Sequence, residues 1–479
     1  MSAFFSRRAL MLEAAPSLER TSDHPLRESP IDPRRWLCLA VVVAAQFMFV
    51  VDAFIVNVAI PSIRANLTMT EAAIEAVIVI YQIAFATLVI AGGRLGDLRG
   101  RRNVFLIGLL GFTAASIWCG LAGSGTELIA ARLTQGAAAA LMSPQVLATI
   151  HTLFPDQARA RAFAVFGIAL GLGGAVGMVL GGWLVALNLF GLGWRMIFFV
   201  NGPVGVAIAV AAWHLLPALS GRREQRMDLP GTALLFLGLL GVVTPILCGR
   251  DLHWAWWLGL IEADGIVTLA LFLAWERQTE RKGGQPLIDL ALLSDRGFLR
   301  GLLAALCFFE ANMSFYLVLT LFLQNGLGLA PFEAGLIVLP LALGFVVGSR
   351  VAGEIVRGCF IQIAGLAATG VTIAAWPSGA AVVLVPPLVL FGYGQGRVMA
   401  PLFGVVLANI GRAHAGAGSG ILTTTQQTAN AAGVALVGLV YFTVLGFGTS
   451  RAAILAALAV LTALVLCAAL SFHWMRRAA

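Results

Sequence analysis

The ionisable side chains set deep in apolar runs long enough to cross a bilayer are Asp52, Arg132, Glu310, Arg397 and the pair Glu262 and Asp264. A charge at the bilayer centre costs about 2.5–3.5 kcal/mol on insertion scales, so it faces a bundle interior or a water cavity. A carboxyl buried among apolar groups favours its neutral form, and a cation arriving beside it favours the ionised form. That linkage is what exchange of a proton for a cationic solute requires. No histidine lies mid-run, so the proton carrier would be Asp52 or Glu310. Arg132 is placed as a counter-charge, on one helix face with Gln135 and Gly136 at i, i+3 and i+4. The competing reading is a static ion pair between one acid and Arg132 that fixes helix register. Arg397 either lines the pathway or snorkels. Glu262 and Asp264 fall about 200° apart around a helix, which suits an extra helix lying offset or partly at the interface.

The elements that must position these groups are membrane helices. The chain has 479 residues, 59% hydrophobic and 11% charged, far from the balance of a soluble domain. About 20 apolar residues span a bilayer. Such runs lie near 36–60, 72–93, 103–122, 126–150, 162–188, 194–217, 229–248, 254–275, 298–323, 332–354, 358–376, 380–408, 415–446 and 452–473. With the N-terminus inside, 25 of the 31 basic residues fall on the cytoplasmic side and four on the other; Arg132 and Arg397 lie within runs. Basic residues are retained in the cytoplasm, so this split sets the orientation. The net charge of +8 is scattered between apolar runs, which excludes a nucleic-acid face. The six cysteines lack ligand spacing and read as packing residues. Residues 1–33 read as a polar cytoplasmic tail rather than a cleaved signal peptide.

The chain repeats itself. Gln135-Gly136 recurs as Gln395-Gly396, each pair followed by a proline (Pro144, Pro401), and Asp52 has its echo in Glu310. A third echo links the segment from Gly96 to Gly100 with that from Gly353 to Gly358. A constant offset near 258 predicts a six-helix bundle over 34–220, a linker with two extra helices over 221–297, and a second six-helix bundle over 298–479. Repeats of this kind mark secondary transporters, in which one half rocks against the other.

Several segments together resemble the major facilitator superfamily, specifically its fourteen-helix drug/proton antiporter family. They are Gly93-Arg94-Leu95-Gly96-Asp97-Leu98-Arg99-Gly100-Arg101-Arg102, then Val51-Asp52 through Pro61, then Arg132, Gln135, Gly136 and Pro144, and finally Gly193-Trp194-Arg195 through Pro203. The resemblance implies an all-α integral membrane protein with the major facilitator fold: two pseudo-symmetric six-helix bundles plus two extra helices, fourteen in all. Gly93, Gly96 and Gly100 would permit a tight turn. Asp97 would face a helix N-terminus, while Arg101 and Arg102 would pair with Asp156, making a latch that breaks in the other conformation. Gly173, Gly177, Gly181 and Gly182 form a smooth ridge for close helix packing. This is similar to the family's antiport motif, except that Met178 stands where a proline is usual.

The expected function is proton-coupled efflux of small amphipathic or cationic compounds by alternating access. The alternative is a proton-coupled carrier for one specific metabolite, with room for an anionic one. A membrane enzyme or sensor fits less well, because no nucleophile elbow, metal cluster, phosphate loop or signalling module is present in the sequence. No cofactor is expected; a proton gradient drives the cycle. The expected partners are a small-molecule substrate and the lipid bilayer. A monomer is expected in the cell (inner) membrane with both termini cytoplasmic, joined to a periplasmic adaptor if the source has two membranes.

Overall fold

The computed structural model describes residues 34–154, 156–217, 228–284, 286–288, 290–351, 354–375, 381–407 and 415–478. The tail expected over residues 1–33 lies outside them. Fourteen long helices follow the apolar runs in order. They are α1 Arg35–Leu67, α2 Glu71–Arg99, α3 Arg101–Leu121, α4 Gly125–Leu153, α5 Asp156–Leu187, α6 Gly193–Leu215 and α7 Leu229–Cys248. Then come α8 Trp256–Arg281, α9 Arg296–Leu321, α10 Pro331–Arg350, α11 Ile355–Ala375, α12 Val385–Leu407, α13 Ala415–Phe447 and α14 Ser450–Ala478. Among the described residues twelve helices are long and apolar enough to cross a membrane, or thirteen if the bent α5 counts as one span. The expected count of fourteen spans is therefore not reached on apolarity alone. Helix α4 is 29 residues long but holds Glu127, Arg132, Gln135 and Gln145, of which the last three are buried.

The internal repeat is realised as packing. In the first half α1 packs on α5, and α4 packs on both α2 and α3; in the second α9 packs on α13, and α12 on both α10 and α11. Across the seam α5 meets α10 and α2 meets α13, which is the same pair of contacts exchanged between halves. Helices α7 and α8 form a hairpin that leans on α2 and α13, so the inserted pair covers one of the two seams. Glu262 and Asp264 are exposed on α8, in keeping with a helix offset from the bundles.

The glycine ridge of α5 serves two partners. Cβ atoms at Gly173, Gly177 and Gly181 would come within 2.7–2.8 Å of Val50, Val51 and Ile55 on α1. At Gly182 a Cβ would meet the Pro331 carbonyl oxygen at 2.4 Å on α10. Three glycines thus set α1 against α5, and the fourth closes α5 against the other half.

Candidate functional site

Asp52 is fully buried at the centre of the first half, and three donors converge on it. Arg132 Nη1 donates to Oδ2 at 2.6 Å, while Gln135 Nε2 at 2.9 Å and Asn201 Nδ2 at 2.8 Å donate to Oδ1. The helical spacing of Arg132 and Gln135 puts both on one face of α4, and Arg132 Nη1 also donates to Gln135 Oε1 at 2.8 Å. Arg132 Nε donates to the Val77 carbonyl, and its guanidinium lies 4.0 Å from the Tyr81 ring centroid. Asn201 donates again to Ser116 Oγ at 2.9 Å. Five helices are tied into one polar knot in which the acid and the base neutralise each other.

The second half carries no such pair at the equivalent place. Tyr316 donates to Gln395 Oε1 at 3.3 Å, and Gln362 donates to Asn312 Oδ1 at 2.9 Å, all neutral groups. The offset that carries Gln135 to Gln395 carries Arg132 to Gly392, so the built-in cation is absent there. Glu310 is half-buried, and its carboxylate has no hydrogen bond or ion pair among the described residues. It continues a stripe of α9 with Leu299, Leu303 and Leu306, none of them fully buried. Further along, in the π-helical turn that ends α9, Gln324 Nε2 donates to the Val58 carbonyl of α1 at 2.9 Å. From the same helix Tyr316 stacks edge to face on Phe54 of α1 at 4.9 Å, about 120° around from Glu310. Arg397 Nη1 lies 3.3 Å from the Tyr393 hydroxyl one turn earlier on its own helix.

The glycine-rich segment after run 2 differs from the loop expected. Gly93, Gly96 and Asp97 are helical residues of α2, and only Gly100 makes the turn, at φ +90°. Gly96 is small for another reason: a Cβ there would come within 2.0 Å of Gln145 Oε1. Arg101 Nη2 pairs with Asp97 at 3.1 Å, and its Nη1 donates to the Ala148 carbonyl and to Thr152 Oγ1 at 2.7 Å. Arg102 bonds to the Trp213 carbonyl and lies over its ring. The pairing expected with Asp156 falls on a side chain outside the described residues. Arg94 bonds to the Pro286 carbonyl, tying α2 to the linker. The Asp97–Arg101 pair is partly exposed and contributes about 0.2–1 kcal/mol, so Asp97→Asn leaves membrane abundance unchanged. Transport is expected to fall, because Arg101 loses the anion that aims it at α4. Wild-type transport by Asp97→Asn would contradict the latch.

Sequence reasoning named Asp52, Arg132 and Gln135, which meet. It missed Tyr81, Ser116 and Asn201, which come from three other helices; only Asn201 lay in a segment already singled out.

Two helical bundles of matching internal packing, joined across two exchanged seams, are the architecture of a secondary transporter. The chain belongs to the Major Facilitator Superfamily, whose profile matches residues 42–434. It is 38% identical over 449 residues to a protein named probable actinorhodin transporter from Streptomyces coelicolor, covering 91% of this chain and 77% of that one. It is 35% identical over 434 residues to the cephamycin export protein CmcT of Amycolatopsis lactamdurans, covering 86% and 85%. Among solved structures, a bacterial homolog to the human lysosomal transporter Spinster, inward-facing and unoccupied, superposes with a TM-score of 0.65. It has 15% identity and covers 93% of this chain and 98% of that one, a likeness of fold.

Proposed function

We propose that this protein is a proton-driven efflux antiporter for small amphipathic, cationic compounds, working by alternating access. The observation that carries the reading is the contrast between the two halves. Asp52 is neutralised by Arg132 and wrapped by amide donors, whereas Glu310 is a half-buried carboxylate with no hydrogen bond or ion pair among the described residues. Such a group can hold a proton or a substrate cation but not both, which is the elementary requirement of antiport. Asp52 and Arg132 then hold the register of α1, α4 and α6. Gln135 and Gln395 supply neutral hydrogen bonding, and Phe54 and Tyr316 supply apolar wall. The 25-to-4 division of basic residues supports a multi-pass protein of the cell membrane with both termini cytoplasmic, acting as a monomer without a cofactor.

A second reading is favoured by the names of two of the relatives, which refer to single compounds, actinorhodin and cephamycin. Export of one product uses the same machinery with a more selective cleft. Cells expressing the chain are expected to accumulate less of a lipophilic cationic dye, and a protonophore should abolish the difference. Challenging the same cells with a panel of structurally unrelated compounds separates the readings: protection against many supports broad efflux, and protection against one supports a dedicated exporter. Equal accumulation with and without the protein across the panel would refute efflux.

A further inference from the structure

The seam between α2 and α13 holds a carboxylate that the central site does not use. Glu75 of α2 is 4% exposed, and its Oε1 is buried without a hydrogen-bond partner. It lies against Gly438 of α13, where a Cβ would come within 2.0 Å of Oε1, so the missing side chain leaves the notch that the carboxyl fills. A small pocket adjoins it at the junction with the inserted hairpin, lined also by Glu71, Arg250, Asp251 and Phe442.

The charges around this pocket are already sorted. Glu71 takes both arginines, Arg64 of α1 at 3.3 Å and Arg250 of the hairpin turn. Arg250 also lies over the Phe442 ring of α13, 5.3 Å from its centroid. Asp251 of the same turn acts on Glu75 as a like charge, and the Cys248 thiol of α7 lies near enough to feel it. Helix α13 brings Gly438, Leu439 and Phe442 to this place, none of them charged. Among the described residues no cation is therefore left to balance Glu75 while the seam is closed. An ionised carboxylate walled in without a partner is unfavourable, whereas the neutral acid can stay. Parting α2 from α13 returns the group to water, where release of the proton is no longer opposed.

We propose that Glu75 is a second proton-binding site, filled when the seam at the non-cytoplasmic end is closed and emptied when that seam opens. The carboxylate takes one proton from outside water on closure and returns it on opening. The hairpin contributes to the switch directly: Asp251 adds like charge beside Glu75, and Arg250 bridges Glu71 and Phe442 across the seam. The proposal rests on the transporter reading, because it assigns the proton to one of the two conformations of an alternating cycle.

Hydrogen–deuterium exchange of the full chain in nanodiscs, with neither substrate nor gradient, tests it. After correction for intrinsic rates, peptides covering 71–79 and 435–446 are expected to exchange several-fold faster at mildly alkaline than at mildly acidic pH. Glu75→Gln should remain slow at both, while Glu75→Asp should keep the pH response. A wild type without the response, or a Glu75→Gln protein that responds as the wild type does, would overturn the proposal. Glu310→Gln should retain the response, and a wild type that shows the seam response but exports none of the tested compounds counts against the efflux reading alone.

Discussion

Glu310→Gln is expected to reduce gradient-driven transport to the level of protein-free vesicles while leaving the protein at wild-type abundance. The two halves of that expectation have separate causes. The side chain is half-buried and makes no hydrogen bond or ion pair among the described residues, so an isosteric amide should change stability by no more than about 0.5 kcal/mol. Function fares differently, because the amide can bind neither a proton nor a cation by charge. Facilitated, gradient-independent movement of substrate is allowed to survive, since the cleft and its aromatic wall are intact. Undiminished proton-coupled transport would remove Glu310 from the mechanism.

Arg132→Met is expected to act on the fold instead. It leaves Asp52 fully buried with only the amides of Gln135 and Asn201 as donors. Breaking a buried pair from one side costs about 3–5 kcal/mol, because an uncompensated charge remains. Against a total stability of about 5–15 kcal/mol, this should lower the thermal unfolding midpoint and the membrane abundance together. The double variant Asp52→Asn, Arg132→Met should regain much of the loss, because no charge is then stranded. A positive coupling energy in that double-mutant cycle marks the pair as a positioning device. If Arg132→Met unfolds at the wild-type temperature, the knot does not hold α1, α4 and α6 together.

Most of the architecture was legible because bilayer physics leaves few options. Each apolar run became a helix, since a spanning segment must satisfy its backbone internally. The offset near 258 became two sets of matching helix contacts. The sequence places Asp52 and Glu310 as equivalents, and their difference came from a residue that is missing: Gly392 stands where the repeat would put an arginine. That asymmetry was present in the numbering, but its consequence depends on how completely Arg132 and the amides enclose Asp52. Tyr81, Ser116 and Asn201 could not be found by spacing, because their partners lie on other helices. Glu75 escaped for another reason. It sits one turn inside α2, close to Glu71, where a polar residue looks like an ordinary helix start; only the fold shows α13 and the hairpin closing over it. The turn at Gly100 was expected among three glycines, and the packing of Gly96 against Gln145 explains why α2 runs on past two of them.

Substrate and proton are expected to move in opposite directions through a pathway where Glu310 holds one or the other. Proteoliposomes of purified protein, with a pH indicator inside and an imposed proton gradient, measure both fluxes in one experiment. Adding a lipophilic cation is expected to drive substrate against the proton flow, with a matching pH change in the lumen that is absent in Glu310→Gln. Substrate movement that ignores the gradient, or a matching pH change that persists in Glu310→Gln, would contradict the account.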